Sequence, residues 1–195
     1  MADGLSGTYQ SACGAREIVE NKEKITVFNT RTLCGPHRYM VEVAQKMKEA
    51  GKTKDEILAW LKMKVDQTES FLIPQNFSFL KRGGRLTPVA AALGSVLKLK
   101  PIMYLTPDGK KLDKFGVKRT MGQAVNSIIE YLKDKKLDAR HIVYVVHADA
   151  KKDAENIAKQ ILEKFPKVEI SIMPLSHAFI TQGGPKCVAI QYIEK

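Results

Sequence analysis

Residues Ile142-Val-Tyr-Val-Val146 form an unbroken β-branched and apolar run between two segments of helical periodicity, and that alternation constrains the fold more than any other feature. On its N-terminal side Val125, Ile128, Ile129 and Leu132 recur at helical spacing behind a Thr120-Met-Gly-Gln123 capping box. On its C-terminal side Asp149 is placed to cap a helix that presents Ile157, Ile161, Leu162 and Phe165. Strands alternating with amphipathic helices predict an α/β architecture.

The rest of the chain extends the pattern. Ile25 to Asn29 is predicted as a short buried strand, although nothing readable nearby would pair with it. A helix is expected from about His37 to Ala50, with Met40, Val41, Val43, Ala44 and Met47 on one face and Gly51 as its stop. Thr53-Lys-Asp-Glu56 is a capping box for a helix carrying Ile57, Leu58, Leu61 and Val65. Phe71 to Ile73 reads as a strand halted by Pro74, and Leu80 to Leu86 as a basic, glycine-rich loop. Thr87-Pro88 opens an apolar helix over Val89 to Leu97. Ile102 to Leu105 and Lys111 to Val117 flank a Pro107-Asp108-Gly109 turn, predicting a hairpin. Val168 to Met173 and Val188 to Ile193 close the chain as strands around a glycine-containing loop, Pro174 to Lys186. The best boundary lies at Ile73-Pro74, dividing the chain into α/β units of residues 1–73 and 74–195.

Composition removes several classes of function. A chain with 44% hydrophobic and 27% charged residues is globular rather than disordered. No apolar run approaches the roughly 20 residues that span a bilayer, and Met-Ala-Asp-Gly-Leu lacks the features of a secretory signal, so the expected compartment is the cytoplasm. Cys13, Cys34 and Cys187 have no C-x-x-C spacing and predict free, mostly buried thiols, with no metal and no redox motif. The net charge of +11 comes from scattered lysines such as Lys110, Lys111, Lys151 and Lys152, without the interleaved aromatics of a single-strand groove. Nucleic acid is therefore not the expected partner.

Four segments could carry chemistry. The turn Gly4-Leu5-Ser6-Gly7-Thr8 runs into a helix and offers backbone N–H groups and a serine hydroxyl to an anion, or else simply caps that helix. Lys81-Arg82-Gly83-Gly84-Arg85 lacks the phosphate-loop pattern and reads as a partner-docking patch or a solvated turn. Arg119 follows a strand and could meet a carboxylate or phosphate, or pair with Asp113. Thr181-Gln182-Gly183-Gly184 permits close backbone approach to a ligand or to another chain. Ser6 with a histidine and Asp149 would nominally supply a triad, but Ser6 is not in a nucleophile elbow and no spacing brings the three together. His147 is a modest site candidate that could equally complete a helix cap.

Taken together, these segments resemble the DegV family of fatty-acid-binding proteins. The resemblance rests on Gly4-Leu5-Ser6-Gly7-Thr8-Tyr9-Gln10-Ser11-Ala12, Phe79-Leu80-Lys81-Arg82-Gly83-Gly84-Arg85-Leu86, the segment from Gly94 to Ile102, and Gln182-Gly183-Gly184-Pro185, in matching order over essentially the whole chain. It implies a two-domain α/β fold enclosing an acyl chain, with residues 1–73 as the remainder of an N-terminal domain whose first part is missing. The family's preceding segment, with its Asp-Ser-Thr strand and Thr-Ser-Gln-Pro loop, has no counterpart here.

Carried over by position, Ser6 is the carboxylate-binding serine with Thr8 beside it. Gln182 stands where many relatives have a histidine, next to Gly183, and Arg119 matches a Val-Arg-Thr-type segment. Arg85, with Arg82 beside it, matches an arginine implicated in meeting a kinase. The implied function is to bind a long-chain, palmitate-like fatty acid without any cofactor. The acid would then be presented to a partner such as the ATP-binding subunit of a fatty acid kinase. The alternative is a small serine-dependent acyl- or phosphotransfer enzyme. Phe71, Ile73, Phe77, Leu93, Leu97, Ile102 and Phe179 are candidates for an acyl tunnel or for plain core.

Overall fold

The computed structural model describes residues 1–93 and 99–195. Their centre is a six-stranded mixed sheet built from β1 (Thr68–Ile73), β2 (Lys100–Leu105), β3 (Leu112–Lys118), β4 (His141–His147), β5 (Glu169–Pro174) and β6 (Val188–Glu194), in the order β3-β2-β1-β6-β4-β5. Only β4 and β5 run parallel; the other neighbours are antiparallel. The boundary at Ile73-Pro74 falls immediately after a strand that hydrogen-bonds to β6 along its whole length.

Strand pleating divides the sheet into two apolar faces. Val143 and Val145 of β4 join Val188 and Ile190 of β6 and Phe71 and Ile73 of β1 on one face. There they meet α6 (Met121–Asp134) and α7 (Lys151–Lys164). Helix α6 buries Val125, Ile128, Ile129 and Leu132, the residues whose spacing announced it. Phe71, Phe115 and Tyr131 stack edge to face here, with ring centroids 5.0 to 5.4 Å apart.

The opposite face, including Ile142, Tyr144, Val146, Ala189 and Ile193, is covered by α2 (Cys34–Glu49) and α3 (Lys54–Val65). A third apolar cluster, Phe77, Leu80, Leu86, Ala90 and Met103, ties α4 (Ser78–Gly83) and α5 (Pro88–Ala91) to β2. Two further helices lie at the ends of the chain, α1 (Thr8–Glu17) and α8 (His177–Gly183), and α8 packs against α4.

The Thr53–Glu56 capping box forms in full, and Thr87 caps α5 with Pro88 in its first turn. Thr120 accepts from the Gln123 N–H, but the Gln123 side chain returns to the Arg119 N–H, so this second box closes one residue early. Three expectations are corrected. Residues 25–29 are not part of any strand, and Ile25 is 42% exposed. A strand exists only through a neighbour's hydrogen bonds, and no described strand lies alongside. Asp149 does not cap α7: its carboxylate meets Lys186 Nζ at 2.6 Å, while His147 Nδ1 accepts the Ala150 N–H at 3.3 Å. The segments read as loops at 80–83 and 177–183 are helical, as the C-terminal part of α4 and as α8. The expected helix over Val89 to Leu97 is seen as α5, and its residues 94–97 lie outside the described residues.

Candidate functional site

On the α2 face of the sheet lies a cavity of about 410 Å³, within the size range of small-molecule sites. Its floor is Ser70, Phe71 and Leu72 of β1 with Ala189 and Gln191 of β6. Its walls are Leu33 and Cys34 at the start of α2, Leu80 of α4, and Ala178, Phe179, Gln182 and Gly183 of α8. The N-terminal turn contributes Met1, Leu5, Ser6 and Thr8. Most of these contacts are apolar.

The turn is held by three bonds. Ala2, fully buried, donates its N–H to the Thr32 carbonyl at 2.9 Å. The Leu5 N–H donates to the Ala2 carbonyl at 3.3 Å, and Arg85 Nε donates to the Leu5 carbonyl at 3.2 Å. Ser6 Oγ lies 2.8 Å from Thr8 Oγ1 and accepts the Thr8 N–H at 3.2 Å, so the two hydroxyls form one polar pair at the cavity wall. The α8 wall depends on close approach to α4. A β-carbon at Gly83 would overlap Gln182 Oε1, and one at Gly184, where φ is +80°, would lie 2.9 Å from the Phe79 ring.

Ser6, Thr8, Gln182 and Gly183, separated by most of the chain, thus line one cavity. Gln182 Oε1 is buried there with no hydrogen-bond partner among the described residues. Arg85 also lines it, whereas Arg82 is exposed, with its guanidinium carbon 4.9 Å from the Phe79 ring centroid. Arg119 is exposed at the β3–α6 junction and lies outside the lining, and Asp113, its suggested partner, accepts instead from the Thr87 hydroxyl at 2.6 Å.

The nominal triad is not assembled. Asp149 is engaged by Lys186, His147 by the Ala150 N–H, and neither His147 nor His177 lines the cavity. Of the tunnel candidates, Phe179 lines the cavity, and Phe71 borders it from β1 while its ring packs into the α6–α7 core with Ile73 and Ile102; Phe77 and Leu93 belong to the cluster under α5. Leu97 lies outside the described residues.

Several lining residues were not legible beforehand. Cys34 and Cys187 both reach the cavity: burial, with a smaller contribution from Cys187, pushes the Cys34 thiol up to about 12, and burial pushes Cys187 up to about 11. Gln191 is 2% exposed and donates to Ser70 Oγ at 2.8 Å and to the Leu33 carbonyl at 3.3 Å. A single polar residue within the apolar run Val188 to Ile193 was the available signal. An oily chamber with a hydroxyl pair and a guanidinium at its wall suits an amphiphile with an acidic or hydrogen-bonding head.

Residues 1–195 match a family described as "Uncharacterised protein, DegV family". A DegV domain-containing protein of Clostridium perfringens is 31% identical over 176 residues, a match that covers 88% of this chain and 60% of that protein. The chain therefore spans less than two thirds of that relative's length. The crystal structure of DegV from Bacillus subtilis, described as a fatty acid binding protein, superposes with a TM-score of 0.83 at 27% identity, covering all of this chain and 68% of the other. A DegV family protein from Thermus thermophilus, described for its fatty acid binding, gives a TM-score of 0.86 at 25% identity over all of this chain and 69% of the other.

Proposed function

The chain belongs to the DegV family, and from that premise we propose that it binds a long-chain, palmitate-like fatty acid in the cavity between β1, β6, α2 and α8. One observation carries the reading: the Ser6–Thr8 hydroxyl pair and the Gln182–Gly183 wall line the same mostly apolar chamber. The B. subtilis and T. thermophilus relatives are described as fatty acid binders, which supports it. The energetics suit such a ligand. Burying about 14 methylenes at roughly 0.8 kcal/mol each supplies on the order of 11 kcal/mol. Lost translation and ordering of the tail take back several kcal/mol. The head group then contributes orientation more than affinity.

Binding rather than turnover is the proposed role. A serine-dependent acyl- or phosphotransfer enzyme would need a base at Ser6, and the partner of Ser6 Oγ is the Thr8 hydroxyl. Release of nitrophenol from a long-chain ester, abolished by Ser6→Ala, would favour the enzyme. We further propose that the bound acid is presented to a partner such as a fatty acid kinase. Arg82, exposed over Phe79 beside the α4–α8 contact, is the residue through which docking is to be tested. Native mass spectrometry of the purified chain tests the ligand directly: a co-purifying long-chain acid is expected. An unliganded mass, unchanged after incubation with palmitate, would refute the reading.

A further inference from the structure

A second cavity, of about 200 Å³, lies where β1 and β2 diverge. The two strands pair only at Phe71–Tyr104 and Leu72–Met103, while β1 follows β6 along its whole length. The space between Thr68–Ser70 and Leu105–Thr106 is therefore a fork, walled by Arg31, Thr32 and Asp66. Only Ser70, Phe71 and Leu105 are shared with the acyl chamber. Thr32 is 1% exposed, and its Oγ1 is buried without a hydrogen-bond partner among the described residues. Ser70, also buried, accepts from Gln191, and its own proton has no acceptor among the described residues. A buried hydroxyl left unmet costs free energy unless something polar occupies the space beside it. The backbone holds Thr32 in place: Arg31 and Cys34, at φ of +46° and +50°, bracket it in a left-handed conformation that non-glycine residues keep only under constraint. The charges nearby are already matched, Arg31 with Asp66 at 3.1 Å and Glu69 with Lys135 at 2.6 Å. An entering ion would lose its water without gaining a counter-charge. A neutral molecule that both donates and accepts hydrogen bonds suits the two hydroxyls. The volume, below that of drug-sized sites, has room for a molecule of glycerol's size.

We propose that the fork between β1 and β2 is a second binding site, for a small neutral polyol, with Thr32 and Ser70 as its hydroxyl contacts. Thr32 exchanges hydrogen bonds with the polyol where the fold leaves it without a partner, and Ser70 gives the proton that Gln191 does not engage. The site is separate from the acyl chamber and does not depend on the fatty-acid reading.

Heteronuclear NMR of the backbone amides during a glycerol titration tests the site. Saturable shifts are expected at Arg31 and Thr32, at Thr68 to Ser70, and at Leu105 and Thr106. Propanol, similar in size but with a single hydroxyl, should bind at least about fivefold more weakly, the loss expected for a missing hydrogen bond. Thr32→Val keeps the shape, removes the hydroxyl and should weaken glycerol by a similar factor. Its urea midpoint should not fall, because the group removed has no partner to lose. A fall would mean that the hydroxyl is already satisfied in the unliganded chain, which overturns the proposal. Shifts that grow linearly with glycerol are a solvent effect only, and shifts centred on Ser6 and Gln182 place the polyol in the acyl chamber; either result also overturns it. Should the valine variant fail to fold, the wild type still decides, because an equal response to glycerol and propanol would leave the hydroxyls no role.

Discussion

Gln191 Oε1 accepts the backbone N–H of Gly35 at 3.2 Å, joining the middle of β6 to the first turn of α2. Helix α2 has no side-chain cap of its own. Gln191 takes that place from the sheet, and its amide nitrogen also serves the Leu33 carbonyl and Ser70 Oγ. One buried amide therefore organises the floor and one wall of the cavity. Replacing it leaves buried groups unpaired: Gln191→Leu is expected to destabilise the chain by about 2–4 kcal/mol, read as a fall in urea midpoint. Retained stability would mean that these bonds are dispensable.

The hydroxyl pair can be separated from the chamber. Ser6→Ala removes the group that accepts the Thr8 N–H and faces Thr8 Oγ1. Palmitate affinity should fall about tenfold, with folding stability changed by less than about 1 kcal/mol, because the residue sits in a surface turn. Isothermal titration and a denaturant curve on one preparation give both values.

Filling the chamber from its rim gives a second test. Ala178 is exposed yet lines the cavity. Ala178→Trp should occlude the space and reduce acyl binding by at least about tenfold. Its melting temperature should stay close to that of the wild type, since exposed substitutions cost within about 0.5 kcal/mol. Undiminished binding would place the acyl chain elsewhere.

The α3 cap carries a pH dependence of predictable sign. The hydrogen bond from Lys52, followed by those from the Thr53 N–H and hydroxyl, lowers the Glu56 carboxyl from 4.5 to about 2. A depressed carboxylate pKa contributes stability that is fully present above about 4.5 and lost as pH falls toward about 2. The site is fully exposed, so the contribution is small. Urea midpoints of wild type and Glu56→Ala should differ at neutral pH and converge as the solution is acidified through that window.

The thiols report on the cavity. Burial holds Cys34 and Cys187 as neutral thiols at pH 7, with pKa values pushed to about 12 and about 11. Iodoacetamide should therefore modify both slowly in the folded chain and quickly in urea, since the thiolate is the nucleophile. Because both line the cavity, bound palmitate should slow them further. Peptide-level mass spectrometry resolves the sites, and ligand-independent rates at both would contradict the proposed location.

What the residues announced locally, the structure largely keeps. The Thr53–Glu56 box, the Thr87-Pro88 start and the buried stripe of α6 are each decided by groups within one or two turns of one another, and such interactions are written in consecutive residues. The similarity of the Ser6 and Gln182 segments to a known family also named the residues worth following. Where a feature needed a distant neighbour, local reading failed. Residues 25–29 have strand-like composition but no strand beside them among the described residues, and Asp149, placed to cap, is claimed by Lys186.

Sequence alone thus determined the alternation of helices and strands, most caps, and the family pattern of the Ser6 and Gln182 segments. Tertiary structure decided that Arg85 turns into the chamber while Arg119 stays outside it, that Gln191 serves as floor and cap together, and that two scattered cysteines share a wall. The physical reason is range. Helix periodicity and capping depend on neighbours a few residues apart, whereas a cavity is a gap left by the packing of a whole sheet against its helices. Its walls are set by strand register and by approaches as close as that of α4 to α8.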